Sequence, residues 1–345
     1  MQAEKVTDFF DLHPDIQVER LTAAAHEALR HWGIYDAEIN LIKYRENAVF
    51  RVEHTAGRYA LRLHRTGYHS DAELRSELQW MQALGEAGIS VPAVVPTVSG
   101  DMFAAHEGEG LPGRIQTDLF EWIEGEQLGS IEDGIADESS VADIFTTIGE
   151  IAARVHNQAC DWTLPGGFMR HAWDAEGLAG ESPFWGQFWK LRSASPSESD
   201  LMLRAKKVIY GELERLPKTP DTYSLIHADF SPENLLLDGD IVRLIDFDDA
   251  GFGWHLFEIA TSLYFVRGEP FYQQALQSLI AGYREHRPLS DQHLENLPLF
   301  YLARAMTYVG WVSTRQETKT AQELTPMLLG MACKLAEEYL TGNNG

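Results

Sequence analysis

The sequence predicts a two-lobed α+β fold, with a small antiparallel-sheet N-lobe over residues 1–123 and a mostly helical C-lobe over residues 124–345. The chain of 345 residues exceeds the size at which one hydrophobic core usually stops growing, which favours two lobes. Before residue 124, apolar residues alternate along several short runs, a pattern typical of strands. Beyond Gly125 they recur mostly at helical spacing, so we place the boundary near that glycine.

The N-lobe is predicted to begin with a helix and a β-hairpin. Apolar residues recur at helical spacing within residues 18–32, and Gly33 ends this helix. Residues 38–65 consist of short β-like runs. The last two runs alternate on either side of a turn at residues 55–57, which predicts a hairpin.

A second helix and two further strands complete the predicted N-lobe. Ser70 is the expected N-cap of this helix, and Glu73 stands at the spacing of a capping box. The apolar stripe of the helix is Leu74, Leu78, Met81 and Leu84. Strands near residues 102–105 and 113–123 then give the order β-β-α-β-β after the leading helix.

The C-lobe is predicted to be helical apart from one β segment. Periodic apolar residues predict helices over residues 141–159, 183–191, 200–216, 271–286 and 297–339. The β segment covers residues 223–247 and contains a turn at Asp238 and Gly239. This turn predicts an antiparallel hairpin.

Three residues of the β segment, Asp229, Asn234 and Asp246, are the candidates for chemistry. Asp229 follows a short strand, Asn234 stands where the loop re-enters a strand, and Asp246 ends the returning strand, so the hairpin can bring them together. An amide oxygen and a carboxylate are ligands that Mg²⁺ prefers, and a separate carboxylate can accept the proton of an attacking hydroxyl. The set predicts transfer of the γ-phosphate of a Mg-bound nucleotide to a hydroxyl. His227 alone is more typical of a hydrogen-bonded core histidine than of a base.

This segment resembles the aminoglycoside phosphotransferase and choline kinase superfamily, whose fold is protein-kinase-like. His227-Ala-Asp229-Phe-Ser-Pro-Glu-Asn234 is similar to the superfamily's H-G-D-x-x-x-x-N motif, and the residues around Asp246 are similar to its I-D-F segment. The resemblance implies ATP and Mg²⁺ as cofactors, Asp229 as the catalytic base, and Asn234 and Asp246 as magnesium ligands. Ala228 stands where the family commonly has glycine.

The N-terminal region resembles the branch of this superfamily that holds type II homoserine kinases and stress-response kinases. Residues 59–65 occupy the place of the kinase V-A-I-K strand, which implies that Arg62 holds the nucleotide phosphates. Glu77 lies within the apolar stripe of the second helix and faces the sheet, so we expect an Arg62–Glu77 pair. Arginine presents a planar fork where the family usually has the ammonium of lysine.

Three further residues are candidate nucleotide contacts. No G-x-G-x-x-G occurs before or within the first hairpin, so the turn near Glu46 and Asn47 would cover the phosphates, with Asn47 as the polar contact. An asparagine in a hairpin is also a common turn former. Residues 119–123 resemble the kinase hinge, where backbone groups of Glu121 and Ile123 would bind adenine.

Residues 162–189 are the candidate acceptor region. In the resembled superfamily an insertion before the catalytic loop helps to build the acceptor pocket, and tryptophan faces can bind cationic amines. Trp185 and Trp189 stand four residues apart, which is also the spacing of a helix core.

Composition limits the partners and the compartment. With 52 acidic and 28 basic residues the formal charge is −24, which repels nucleic acid. This charge is compatible with a cationic acceptor, but solubility alone also explains it and is the preferred interpretation. Cys160 and Cys333 form no CxxC pair, the N-terminus does not read as a signal peptide, and the apolar runs are too short to span a bilayer. The sequence therefore predicts a cytoplasmic enzyme with a small-molecule hydroxyl acceptor and with no nucleic-acid or membrane partner; it leaves the oligomeric state open.

Three alternatives compete with the small-molecule kinase. A Ser/Thr protein kinase of the stress-response type would suit the same motifs and the same acidic charge. Arg62 and the missing glycine loop would suit a catalytically weak nucleotide-binding pseudokinase. Asp246-Phe-Asp248 could be the DxD metal site of a sugar-nucleotide transferase, although the upstream H-x-D-x4-N pattern argues against this.

Overall fold

The structure, a computed structural model, describes residues 9–45, 47–108, 110–129, 140–239, 241–316 and 318–342. These residues form two compact units. The first comprises the described residues within Met1–Gly85, Val91–Glu124 and Pro165–Met169, and the second those within Glu86–Ser90, Gly125–Leu164 and Arg170–Gly345. Each unit consists of three separate segments of the chain, whereas the prediction divides the chain once, after residue 123.

The first unit is built on a five-stranded antiparallel sheet. Its strands are β1 (Glu38–Tyr44), β2 (Ala48–His54), β3 (Gly57–Leu63), β4 (Ala104–His106) and β5 (Ile115–Glu121). They lie in the order β1-β2-β3-β5-β4, with every neighbouring pair antiparallel. Two helices accompany them, α1 (Pro14–Leu29) and α2 (Asp71–Glu86).

The two faces of this sheet carry different side chains. Side chains alternate along β3, so Leu61 and Leu63 share one face and Arg62 lies on the other. Leu61 and Leu63 belong to the buried apolar cluster that α1 completes. Arg62 stands opposite Asp118 of β5 in the strand register. One face therefore forms the core of the unit, and the opposite face brings charged groups together.

β1 is a strand that the predicted β-β-α-β-β order omits. It pairs with β2 from Glu38↔Glu53 to Tyr44↔Ala48 and forms one edge of the sheet. Its neighbouring residues Leu41 and Ile42 are both exposed, so apolar residues do not alternate as they do in a strand with one buried face. The missing alternation explains why the prediction is one strand short.

The second unit is mainly helical and contains two small sheets. Its helices are α3 (Val141–Asp161), α4 (Ala175–Ala179), α5 (Pro196–Leu213), α6 (His255–Leu263), α7 (Tyr272–His286), α8 (Asp291–Leu294), α9 (Leu297–Ser313) and α10 (Lys319–Leu340). Its strands are β6 (Glu126–Gln127), β7 (Ala172–Trp173), β8 (Tyr223–Ile226), β9 (Leu235–Asp238), β10 (Ile241–Leu244) and β11 (Gly251–Trp254). One sheet has the order β10-β9-β6 and the other β7-β11-β8, so the predicted β segment is shared between two sheets.

Helices α3 and α7 approach each other closely at two glycines. A Cβ at Gly149 would lie 2.0 Å from the carbonyl oxygen of Leu279, and a Cβ at Gly282 would lie 2.1 Å from that of Thr146. Only glycine fits at these two positions. Among the described residues, no helix is long and apolar enough to cross a membrane.

Residues 183–191, predicted to be helical, form an irregular segment with a single 3-10 turn at Phe188–Lys190. Gly186 has φ +111°, a conformation that residues with a side chain rarely adopt. The chain therefore bends between Trp185 and Trp189. The helix prediction is wrong here, because apolar spacing alone does not reveal this bend.

Candidate active site

Asp229 and Asn234 are in direct contact in the loop between β8 and β9. Asn234 Nδ2 donates to the backbone oxygen and to Oδ2 of Asp229, both at 2.8 Å. The other carboxylate oxygen, Oδ1, accepts a hydrogen bond from Arg304 Nη2 at 2.7 Å. The Asp229 side chain remains 22% exposed. Because both hydrogens of Asn234 Nδ2 face acceptors, its Oδ1 points away from Asp229 and can serve as an oxygen ligand.

Asp246 follows β10 and lies beside this loop. The backbone N–H of Ile245 donates to the carbonyl oxygen of Asn234 at 2.9 Å. Asp246 itself is exposed and has φ +65°. The β9–β10 hairpin thus places Asp246 one residue beyond a backbone contact with Asn234, as the sequence predicts. β8, which leads to Asp229, pairs instead with β11.

The fully buried ring of His227 connects the two segments. Nε2 lies 2.9 Å from the carbonyl oxygen of Ile245, and Nδ1 lies 3.3 Å from the backbone nitrogen of Asp229. Since a carbonyl can only accept and an amide N–H can only donate, these two contacts are satisfied when Nε2 carries a proton and Nδ1 accepts. His227 is therefore a hydrogen-bonded core histidine that ties the strand end before Asp246 to the loop of Asp229.

Glu258 of α6 holds the backbone of the same loop, and the sequence prediction missed it. Its carboxylate is fully buried and accepts from the N–H of His227 at 3.0 Å and from the N–H of Ala228 at 2.6 Å. His156 Nε2 lies 3.3 Å from the same group. Burial lowers the pKa of His156 well below its usual value, so this contact is a hydrogen bond from a neutral ring. Burial also raises the pKa of Glu258.

Replacing Glu258 by glutamine is expected to lower the free energy of unfolding by about 2–3 kcal/mol, because the amide NH₂ would face a buried backbone N–H. Urea denaturation measures this change. Glu323 gives a matched control, since it is exposed and pairs with Lys319 four residues earlier. E323Q should change the free energy by about 0.5 kcal/mol or less. Equal losses in the two variants would contradict the assigned role of Glu258.

Ala228 adopts a conformation that favours glycine. Its φ is +66°, in the left-handed region, where a side chain costs about 1 kcal/mol. Its N–H is bound by Glu258, and its carbonyl oxygen accepts from Arg304 Nη1 at 3.1 Å. The backbone is thus held from both sides, which explains how an alanine is accommodated where the resembled superfamily commonly has glycine.

Residues on both sides of α4 hold the chain that follows Asp246. Arg170 donates to the carbonyl oxygens of Asp248 and Ala250. Trp173 Nε1 donates to the carbonyl oxygen of Asp249 at 2.8 Å, and Trp185 Nε1 donates to Asp249 Oδ1 at 3.0 Å. These contacts keep residues 248–250 in place.

The candidate acceptor region therefore divides into two parts. Trp173 and Trp185 are buried and contact Asp249. Trp189 instead packs under the ammonium of Lys206, 4.6 Å from the ring centroid. Trp185 and Trp189, which stand four residues apart, therefore do not lie on one face of a helix.

In the first unit, Arg62 joins two buried carboxylates. Its Nη2 donates to Glu77 Oε1 and to Asp118 Oδ2, both at 2.7 Å, and its Nε donates to Asp118 Oδ1 at 3.1 Å. The expected Arg62–Glu77 pair is present, while Glu73 caps α2 through Ser70, as predicted. Asp118, which the prediction missed, also lies 2.9 Å from His64 Nε2. Burial opposes the charge of Asp118, but Arg62 and His64 outweigh it and lower its pKa.

The stability contribution of Asp118 should vanish in acid. Because its folded-state pKa lies below the usual value of 3.8, the contribution is complete above that value and is lost as the pH falls through the folded-state pKa. D118N should lower the free energy of unfolding by about 3 kcal/mol at pH 7, and the difference from wild type should shrink below about pH 4. Chemical denaturation across this range measures it.

Asp71 provides the control for this prediction. Its carboxylate pairs with Arg114 on the surface, where both side chains are more than 40% exposed. D71N should cost about 1 kcal/mol or less, because solvent screens the pair. A D71N loss as large as that of D118N, or a D118N difference that grows in acid, would contradict the assignment.

The remaining candidate nucleotide contacts lie in turns and at a strand end. Asn47 Oδ1 accepts a hydrogen bond from the backbone N–H of Arg65 at 3.1 Å, a side-chain-to-backbone contact typical of a turn residue. Glu46 lies outside the described residues. Glu121 is exposed at the end of β5, and its N–H donates to Ala93 O at 2.9 Å. Ile123 lies just beyond this strand and is half-buried.

Comparison with known proteins supports a kinase. Residues 41–289 match the model of the phosphotransferase enzyme family. The amicoumacin kinase of Bacillus subtilis (strain 168) is 26% identical over 334 residues, covering 93% of this chain and 94% of that protein. The homoserine kinase of Chelativorans sp. (strain BNC1) is 27% identical over 310 residues, covering 86% of this chain and 85% of that protein.

The comparison extends to solved structures. The structure of a microcompartment-associated aminopropanol kinase is similar with a TM-score of 0.81 and 31% identity, covering 93% of this chain and 98% of the other. The predicted α+β, protein-kinase-like fold is confirmed. All three relatives are small-molecule kinases, which favours that prediction over the three alternatives. The chain belongs to the phosphotransferase enzyme family and is an ATP-dependent kinase that transfers phosphate to a hydroxyl group of a small molecule.

Proposed function

We propose that the acceptor is a small amino alcohol. The observation that carries this proposal is the likeness to the aminopropanol kinase, at 31% identity over 93% of the chain. The formal charge of −24 supports it, because an acidic protein attracts a cationic amine. Cys160 and Cys333 form no disulfide, which supports the cytoplasm as the compartment.

Asp229 is proposed to act as the catalytic base. A base must lie within hydrogen-bond reach of the proton that it accepts, and its carboxylate must be held in one orientation. The contacts of Oδ1 with Arg304 and of Oδ2 with Asn234 supply that orientation, while the exposed part of the side chain can meet a hydroxyl. Positioning of this kind does most of the catalytic work in phosphoryl transfer.

Asn234 and Asp246 are proposed to hold Mg²⁺. Their donor atoms fit this ion, since Asn234 Oδ1 is turned away from Asp229 and Asp246 is an exposed residue with a carboxylate. When bound, Mg²⁺ supplies neutralisation of charge on the nucleotide phosphates. Asn234 then has two roles, because its amide nitrogen orients the base and its amide oxygen serves the metal.

The first unit is proposed to bind the nucleotide. Arg62, oriented by Glu77, would contact the phosphates of ATP, and the turn at Asn47 would cover them. The Glu121 carbonyl and the Ile123 N–H would bind adenine, since the N–H groups of Glu121 and Trp122 are already bonded to Ala93 and Arg58. A raised KM for ATP in R62M would support the assignment of Arg62.

An acceptor panel assayed for ADP release tests the proposal. The panel contains 1-amino-2-propanol, ethanolamine, homoserine, an aminoglycoside and a basic peptide. Two matched analogues of 1-amino-2-propanol isolate its groups: 1,2-propanediol carries a hydroxyl in place of the amine, and propylamine lacks the hydroxyl. We expect kcat/KM for an amino alcohol to exceed that for the diol by at least about 10-fold, since a lost charged contact costs more than 1.4 kcal/mol. A preference for the diol, the aminoglycoside or the peptide would overturn the proposal.

A further inference from the structure

Arg304 of α9 is a completely buried arginine whose guanidinium reaches the loop of Asp229. Nη2 donates to Asp229 Oδ1 at 2.7 Å and to the hydroxyl of Tyr308 at 2.8 Å. Nη1 donates to the carbonyl oxygen of Ala228 at 3.1 Å. One guanidinium therefore binds both the carboxylate of Asp229 and the peptide group just before it.

Aromatic rings enclose this guanidinium. The centroid of the Tyr308 ring lies 4.1 Å from Cζ of Arg304, that of Trp185 lies at 4.9 Å, and that of Phe257 at 5.5 Å. These rings come from α9 itself, from the segment after α4 and from α6. They stabilise the cation and restrict its movement, so the guanidinium has a fixed position relative to the loop. Burial opposes the charge, yet Tyr308 and Asp229 raise the pKa of Arg304 above its usual value.

The position of Arg304 determines the orientation of the carboxylate. Oδ1 is bound to Arg304 and Oδ2 to Asn234, so the carboxylate plane cannot rotate without breaking a charge-assisted bond. Arg304 also binds the carbonyl oxygen of Ala228, whose left-handed backbone sets the direction in which Asp229 leaves the loop. Both contacts act on the same degree of freedom, the direction of the carboxylate.

We propose that Arg304 is a positioning residue for phosphoryl transfer, which holds the carboxylate of Asp229 in the direction needed to accept the proton of the acceptor hydroxyl. The proposal rests on the proposed role of Asp229 as the base. It differs from a purely structural ion pair in what its loss would change. A structural pair contributes to folding alone, whereas a positioning residue contributes to kcat of the folded enzyme.

The test compares R304M and R304K with R267M. Arg267 is a matched control, because it also combines a carboxylate, Glu338 at 3.5 Å, with an aromatic ring, Tyr301 at 5.3 Å. For R304M we expect kcat per folded molecule to fall by about 100-fold with KM for ATP nearly unchanged, since misplacing a catalytic group by about 1 Å has that effect. R304K should recover part of kcat, and R267M should retain it. An R304M enzyme with kcat within about threefold of wild type would overturn the proposal.

Chemical rescue of kcat distinguishes a positioning role of Arg304 from a purely structural one. Guanidinium ions added to R304A should raise kcat several-fold, whereas ethylammonium, which lacks the planar fork, should not. If R304A does not fold, Y308F, which removes one of the acceptors of Nη2, should still lower kcat without a change in KM for ATP. Absence of rescue in folded R304A, or a Y308F enzyme with wild-type kcat, would count against the proposal.

A double variant separates this inference from the proposed function. If Arg304 acts through Asp229, then D229N/R304M should have nearly the same kcat as D229N. Losses that multiply in the double variant would show that Arg304 acts elsewhere, while Asp229 remains the base. A D229N enzyme with wild-type kcat would instead overturn the assignment of the base.

Discussion

Replacing Asp229 by asparagine is expected to lower kcat by about 10³-fold, within the range for loss of a general base, while KM for ATP changes little. The amide cannot accept the proton of the acceptor hydroxyl. Its NH₂ group would also face either Arg304 or Asn234, and both donate at this position. D229A should therefore be measured alongside, because it removes the base without adding a third donor. ADP release gives kcat, and calorimetry gives nucleotide affinity.

Asp238 is the matched control for Asp229. It has the same side chain, ends β9 in the same β segment, and pairs with Arg243 at 3.0 Å in the hairpin. D238N should keep kcat within about twofold of wild type, as expected for a surface substitution away from the site. If D229N and D229A both kept more than a tenth of wild-type kcat, the base would have to be another residue.

The contact between the candidate loop of Asp229 and Asn234 and the strand end before Asp246 could be predicted, because these residues are close in sequence. Asp229, Asn234 and Asp246 lie within 18 residues, joined by a hairpin whose turn is visible at Asp238 and Gly239. Arg62 and Glu77 were predictable for a different reason. The helix period determines which side of α2 faces the sheet, and one glutamate lies on that side.

Arg304, Glu258 and Asp118 were not predicted, because each contacts its partner across a long stretch of chain. Asp118 meets Arg62 through the β3–β5 register, and the long connection between these strands leaves that register undetermined in the sequence. Arg304 and Glu258 did leave a signal. Each is the single charged residue in a mostly apolar stretch, Leu297–Val312 for Arg304 and Leu256–Val266 for Glu258. A charge at such a position is buried only with a partner, so both positions indicated a buried polar contact.

Trp185 and Trp189 show the opposite error, because their spacing predicted a helix that the structure does not contain. Trp185 and Trp189 fit one face of a helix by their separation, yet the chain bends at Gly186 between them. Trp185 then contacts Asp249 and Arg304 in the second unit, while Trp189 contacts Lys206. The indole N–H of Trp185 thus donates to Asp249, in the chain that follows Asp246. Helical spacing does not suggest this role.

Replacing Asp246 by asparagine is expected to lower kcat by at least about 100-fold, because a metal site contributes several kcal/mol of charge stabilisation. The amide keeps an oxygen but loses the negative charge that attracts a divalent cation. The concentration of Mg²⁺ needed for half-maximal activity should rise, and EDTA should abolish the activity of the wild-type enzyme. Binding of Mn²⁺ in the presence of ADP, followed by electron paramagnetic resonance, measures the site directly without turnover.

D229N and D238N are the controls that show whether a change in Mn²⁺ affinity is specific to Asp246. D238N should match wild type in both activity and Mn²⁺ affinity, because Asp238 lies in the turn region at the far end of the β9–β10 hairpin from Asp246. D229N should lose activity but keep Mn²⁺ affinity, since in the proposed division of roles Asn234 and Asp246 serve the metal and Asp229 serves the acceptor. A D246N enzyme that binds Mn²⁺ as tightly as wild type would place the metal on other residues. Loss of Mn²⁺ affinity in D229N as well would mean that the base and the metal site share Asp229, through its contact with Asn234.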